Sequence, residues 1–145
     1  MALTSAPCRI GLVNWRDAST QLSAIRRQIF IEEQGVPADL EWDGLDATAM
    51  HAKATSLTGE TIGTARLLPG GQIGRMAVLR EWRGLGVGTA MLQRLIACAP
   101  EKERLFLNAQ TSAESFYRRN GFEPEGEIFM EAGIPHIRMH YRPRR

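Results

Sequence analysis

The chain has 145 residues, 43% of them hydrophobic and 23% charged, with a formal net charge of +2. That length fits one domain, 1–145, with enough apolar residues to bury a core. The weak, unclustered charge argues against nucleic acid, whose binding needs a patterned basic face, and no apolar run approaches the ~20 residues of a membrane span.

At the N-terminus no positive segment precedes an apolar core, so no signal peptide is expected and the cytoplasm is the default location. Cys8 to Trp15 ("CRIGLVNW") reads as a first strand. Asp17 or Ser19 can cap a following helix whose apolar stripe is Leu22, Ile25, Ile29 and Phe30. Gly35 and Pro37 end it, one as a left-handed cap and the other as a block to continuation. The acidic stretch from Ala38 to Met50 reads as a short helix or a loop. Two strands follow, His51 to Leu57 and Thr61 to Leu68, as a hairpin around Gly59.

"QIGRMAVL" alternates in steps of two, with Ile73, Arg75 and Ala77 on one face and Gly74, Met76 and Val78 on the other. A helix from Gly86 to Ala99 buries Met91, Leu92, Leu95 and Ile96, and Pro100 stops it. Arg104 to Ala109 reads as a strand buried on both faces. "SAESFYRRNGF" is a late helix closed by Asn120-Gly121, and two final strands flank Ala132-Gly133. Arg142, Arg144 and Arg145 form a basic tail, read as solvated. The order describes an α/β (α+β) fold with a mixed, mostly antiparallel sheet of about six to seven strands and about four helices. One strand–helix–strand crossover runs from Met76 to Leu107.

The crossover opens on "EWRGLGVGTAML", where Gly84, Gly86 and Gly88 sit between strand and helix. Such a turn aims several backbone N–H groups at one point, beside the positive end of the helix dipole. It suits a phosphate or pyrophosphate. A tight turn that binds nothing is the plain alternative. The spacing is not that of a dinucleotide fingerprint, because position 89 is threonine and no acidic residue ends a second strand about 20 residues on. Nor is there the Gly-Lys-Ser/Thr of a P-loop.

What remains is Arg83-x-x-Gly86-x-Gly88, and here the chain resembles the GNAT acetyltransferase superfamily. A later stretch fits the same family, through Asn108, Ala113, Phe116, Tyr117, Gly121 and Phe122. "RRQIFIEEQGVP", "EWDGLDATAMH" and "FMEAGIPHIRM" narrow the resemblance to the ElaA-like branch. It implies acetyl-CoA as co-substrate, with coenzyme A held by Arg83, Gly84, Leu85, Gly86, Val87, Gly88 and Thr89. The pantetheine arm would lie along the strand edge at Met76, Ala77 and Val78, where its amides mimic an added strand. Asn108, Phe116 and Arg119 complete the implied coenzyme contacts.

The implied reaction is direct acyl transfer to the amine of a small molecule. It needs a base for the ammonium, a donor for the developing oxyanion and an acid for the departing thiolate. The resemblance makes Tyr117 the acid; on local sequence alone it reads as a packed ring. A main-chain N–H near Val78 would serve the oxyanion. Many relatives carry a glutamate on the strand of Met76, but this chain has Gly74 and Arg75 there. The base is then Glu33, Glu41, Asp43, His51, His136 or a water chain, and Glu33 and His136 are also read as acceptor contacts. Arg66 and Arg75 need partners within their strands. Those are Asp43 or Asp46, or, for Arg66, an anionic group of the acceptor.

Cys8 and Cys98 are isolated and read as reduced thiols, and three scattered histidines give no metal-ligand spacing. Transfer of a longer acyl chain, or a coenzyme A sensor without catalysis, are the rival readings. Monomer and homodimer both remain open.

Overall fold

The computed structural model describes residues 7–143, so Arg144 and Arg145 of the basic tail lie outside the described residues. Strand β1 (Cys8–Val13) leads into helix α1 (Trp15–Arg26), which runs on as a wider π-helical turn over Arg27–Glu33. Helix α2 (Ala38–Glu41) is a single turn. Strands β2 (Met50–Ser56), β3 (Thr61–Leu67) and β4 (Gln72–Val78) follow as a meander. Then come α3 (Val87–Cys98), β5 (Phe106–Gln110), α4 (Glu114–Arg119), β6 (Phe122–Glu131) and β7 (Ile134–Tyr141).

The strands form one seven-stranded sheet in the order β1-β2-β3-β4-β5-β7-β6. Only the β4–β5 pair is parallel, as a helical crossover requires. The core is apolar on both faces of this sheet. It includes Leu22, Ile25 and Ile29 from the first helix and Met91, Leu92 and Leu95 from α3. Among the described residues no helix is long and apolar enough to cross a membrane.

Several local expectations change. Trp15 starts α1 rather than ending β1, and the cap is Asn14, whose Oδ1 accepts from the Asp17 N–H at 2.9 Å. Strand β5 is buried on one face only: Leu107 and Ala109 are covered, whereas Phe106, Asn108 and Gln110 are half-buried. Its other face looks into a cleft rather than under a helix.

The third change matters most. Alternation along β4 fails at Arg75, whose φ of 51° is left-handed. Arg75 and Met76 together stand opposite Ala65 of β3, so the strand carries a β-bulge. Pairing Ile73 with Leu67 but Ala77 with Thr64 puts those two residues on opposite faces. An extra residue shifts a period of two by one step, and the sequence pattern carries no mark of it.

Register also assigns the faces. A Cβ on Gly63 would meet Met91 and Val87, so the Gly63–Ala65–Leu67 side of β3 lies under α3. Arg66 points the other way, toward the first helix and the segment after it. Ile73 pairs with Leu67 on one side and Leu107 on the other, so Leu107 and Ala109 share the α3 face. Phe106, Asn108 and Gln110 therefore share the α1 face.

Candidate active site

Strands β4 and β5 pair only at Gln72 with Phe106 and at Ile73 with Leu107. Beyond the bulge they diverge, and a cavity of about 940 Å³ occupies the opening. This leaves the β4 edge bare. Leu79 donates its N–H to Ile62 O at 2.9 Å, so the polar groups of Val78 turn away from β3 and toward the opening. The Val78 carbonyl there accepts from Arg83 Nε at 2.8 Å.

The glycine loop closes one end of this cleft. Gly84 and Gly86 have φ of 77° and 89°, a region glycine enters without penalty, and neither has anything within 4 Å of where a Cβ would stand. Gly86 is the N-cap of α3, with no side chain bonded to the helix end. Ala90 N–H returns to Gly86 O at 3.0 Å, which leaves the amides of Val87, Gly88 and Thr89 without helical partners. These amides and open loop positions fit an anionic pyrophosphate. Gly88 has a different reason for its size. A Cβ there would lie 3.3 Å from Phe116 Cζ, so it lets α3 and α4 approach.

Tyr117 lies on α4, at the inner part of the cleft, 9% exposed. Phe116 and Phe122 hold its ring edge-on, at 5.0 and 6.2 Å between centroids. Burial alone pushes its phenol up to about 12. Since α4 packs through Phe116 on α3, Tyr117 stands on the α3 face.

The other end of the cleft is built from charged side chains. Arg26, with 0% exposure, donates to Glu41 Oε2 at 2.8 Å and to Asp46 Oδ1 at 2.7 Å. Its guanidinium also lies 5.5 Å from the Trp15 ring and 5.0 Å from that of Trp42. Arg66 donates twice to Asp43, at 3.0 and 2.8 Å, and once to Asp46 at 3.1 Å. Arg75 reaches Asp43 at 3.2 Å and the Glu41 carbonyl at 2.9 Å. Its Nε stands 3.0 Å from Glu41 Oε2 with the N–H aimed elsewhere, an ion pair without a hydrogen bond. Burial pushes the Asp43 carboxyl up, but the Arg66 hydrogen bonds, the Leu45 amide and the two guanidinium charges outweigh it and hold it at about 2. Asp46 is likewise lowered, burial being outweighed by Arg26 and Arg66.

Most residues singled out from the sequence line this one cavity. They include Met76, Ala77, Val78, Asn108, Phe116, Arg119, Arg66 and His136, besides the loop and Tyr117. Leu85 does not line it and is half exposed. Glu33 does not line it either; it clamps Arg83 with two hydrogen bonds of 2.8 and 2.9 Å, and the Arg83 hydrogen bond chiefly lowers its carboxyl. Arg66 pairs through its two terminal nitrogens with Asp43 and Asp46, the structural one of its two readings, while its buried Nε has no hydrogen-bond partner. His51 is buried, with Nε2 3.0 Å from Asp46 O, and is absent from the cavity wall.

The sequence reading missed Gln34 and Gln110. Gln110 Nε2 donates to Gln34 Oε1 at 3.0 Å, tying the end of the first helix to β5. Nothing local marks either glutamine; only the fold brings positions 34 and 110 together.

Comparison with known proteins agrees with this fold. The family model of the acetyltransferase (GNAT) domain matches residues 28–143. YjcF of Bacillus subtilis, an uncharacterised N-acetyltransferase, is 35% identical over 122 residues, 79% of this chain and 86% of its own. ElaA of Escherichia coli is 30% identical over 148 residues, 88% of this chain and 95% of its own. Among solved structures, an acyl-CoA N-acyltransferase from Pseudomonas aeruginosa superposes with a TM-score of 0.78 at 29% identity, covering 91% of this chain and 97% of that one. The crystal structure of ElaA superposes with a TM-score of 0.80 at 25% identity, covering 91% and 97%. A family match over residues 28–143, with relatives and structures of this similarity, means that the chain belongs to the GNAT acetyltransferase family, on its ElaA-like branch.

Proposed function

We propose that the protein transfers the acetyl group of acetyl-CoA to the amine of a small molecule. The observation that carries this reading is the continuous cleft between β4 and β5, with unpartnered helix amides at one end and the Tyr117 hydroxyl within it. Acetyl-CoA would supply the acyl group as an activated thioester.

The amides of Val87, Gly88 and Thr89 hold the pyrophosphate, and Arg83 and Arg119 stand near as cations. Arg83 must exchange Glu33 and the Val78 carbonyl for the ligand, which frees that carbonyl for the pantetheine arm. The bare edge of β4 at Met76, Ala77 and Val78 then receives the arm as an added strand. The Val78 N–H, turned to the opening, is placed to stabilise charge growing on the thioester oxygen. Tyr117, neutral at working pH with its raised phenol, gives its proton to the departing sulfur.

Thermal unfolding with and without acetyl-CoA tests the first part: a bound donor raises Tm, and no rise at millimolar acyl-CoA sinks the reading. Thiol release over an amine panel tests the second. Tyr117→Phe is expected to lose about 10²-fold or more in kcat while keeping the Tm rise. An unchanged kcat would remove Tyr117 as the acid.

A further inference from the structure

We infer that His136 is the general base of this site, acting through Nε2 on the acceptor amine from the face of the sheet opposite Tyr117. The inference rests on the acetyltransferase reading above. A small alkylamine is an ammonium ion near neutral pH and must lose a proton before it can attack.

The carboxylates on the first-helix side of the cleft are engaged or lie outside its wall. Asp43 is held at about 2 by Arg66 and Arg75, far too weak a base for an ammonium. Glu41, 3% exposed, faces Arg26 and Arg75. Glu33 stands outside the cavity wall, which keeps it from the acceptor even when the coenzyme draws Arg83 away. His51 is sealed under Trp15, and burial chiefly lowers its imidazole.

His136 is set differently. Its Nδ1 lies 2.7 Å from the carbonyl of Ile134. A carbonyl only accepts, so Nδ1 carries the hydrogen, and in the neutral ring the lone pair sits on Nε2. Phe129 of β6 stacks on the ring at 5.9 Å and 25°. No protein group pairs with Nε2 among the described residues, and that atom is not sealed from solvent, although the residue is only 7% exposed. His136 itself lines the cavity.

Its neighbours leave the ring to this task. On β5 the facing residue is the uncharged Gln110, and Arg138, next on the same face of β7, is turned to Asn108 and the Phe106 ring. Glu131 also lines the cavity, and its register partner is Ile134.

Register places the two proton-transfer groups. His136 pairs with Gln110, so both project on the α1 face, while Tyr117 projects from the α3 face. The cavity joins them through the gap between β4 and β5. An amine entering on the α1 face gives one proton to His136 Nε2, which passes it to bulk solvent. Its nitrogen bonds the acyl carbon as the carbon–sulfur bond breaks. The sulfur takes the Tyr117 proton, and the second proton lost by nitrogen restores Tyr117. The sum is ammonium plus thioester giving amide, thiol and one released proton.

The test compares His136→Gln with the natural chain on two acceptor classes at one pH. One is a primary alkylamine, protonated at neutral pH; the other is an arylamine, already neutral. The variant is expected to lose about 10²-fold or more in kcat/KM on the alkylamine, to keep within about threefold on the arylamine, and to keep the Tm rise with acetyl-CoA. Added imidazole should restore alkylamine turnover to His136→Ala. Equal losses on both acceptors, or no loss on either, overturn the base assignment. If the natural chain binds acetyl-CoA but acetylates neither amine class, the acetyltransferase reading itself fails, and the base falls with it.

Discussion

The two ends of the cleft are built from opposite materials. The glycine-loop end offers main chain: free amides of α3 and a left-handed turn, with no side-chain cap. The other end, between α2 and β3–β4, is made of side chains already paired with one another. Arg26, Arg66 and Arg75 are matched there by Glu41, Asp43 and Asp46. Backbone amides can be left open toward a ligand because each carries only a partial charge. Full charges in a buried place must be compensated within the protein. One end therefore leaves polar groups open toward the cleft, and the other fixes the shape of the cleft wall.

Removing a charge from the paired end should have the largest effect. Arg26→Ala leaves Glu41 and Asp46 buried without their nearest cation, and about 3–5 kcal/mol of stability should be lost in urea unfolding. A loss under 1 kcal/mol would mean that Arg66 and Arg75 suffice, and that the network is looser than drawn.

At the loop end the effects should be smaller and should separate two glycines. Gly86→Ala places an L residue at φ 89° and should cost about 1–2 kcal/mol, with weaker retention on immobilised coenzyme A. Gly88→Ala meets the Phe116 ring at 3.3 Å and Val78 at an ordinary 3.9 Å, and it gains helix propensity, so its stability should change by less than about 1 kcal/mol. Equal effects would undo the distinction between a conformational and a packing glycine.

The last test concerns pH. The folded Asp43 carboxyl sits at about 2, below its ordinary 3.8. A lowered carboxyl stabilises the fold fully above the unfolded value and loses that contribution as pH falls from about 4 toward 2. Asp43 is partly exposed, so screening trims the gain to about 1–2 kcal/mol. Asp43→Asn should lower stability by that amount at pH 7 and flatten the loss between pH 4 and 2. Parallel acid-unfolding curves for the two chains would show that Asp43 adds nothing to the network.

The loop end was legible in the residues because its function rests on local chemistry. Glycine at 86, a helix start at 87 and the spacing back to Arg83 are contiguous, and each has a backbone reason. The charged end was not. Glu33 was read as an amine contact, yet fifty residues along the chain Arg83 folds back onto it. Arg66 had two readings that only the position of the segment after the first helix could separate. The pair of Gln34 and Gln110 had no local sign at all.

The sequence by itself determined the element order, the crossover and the glycine loop that opens α3, since apolar period, caps and glycine spacing act over a few residues. It also determined the family, through motifs that are themselves local. The tertiary structure decided which charges pair, which face each strand residue occupies and where the cleft opens. One bulged residue at Arg75 accounts for much of that: it shifts the pleat of β4 by one, parts the strand from β5 and turns the edge at Val78 toward the cavity. Such a shift depends on the register between strands, a relation among distant segments that no stretch of sequence contains.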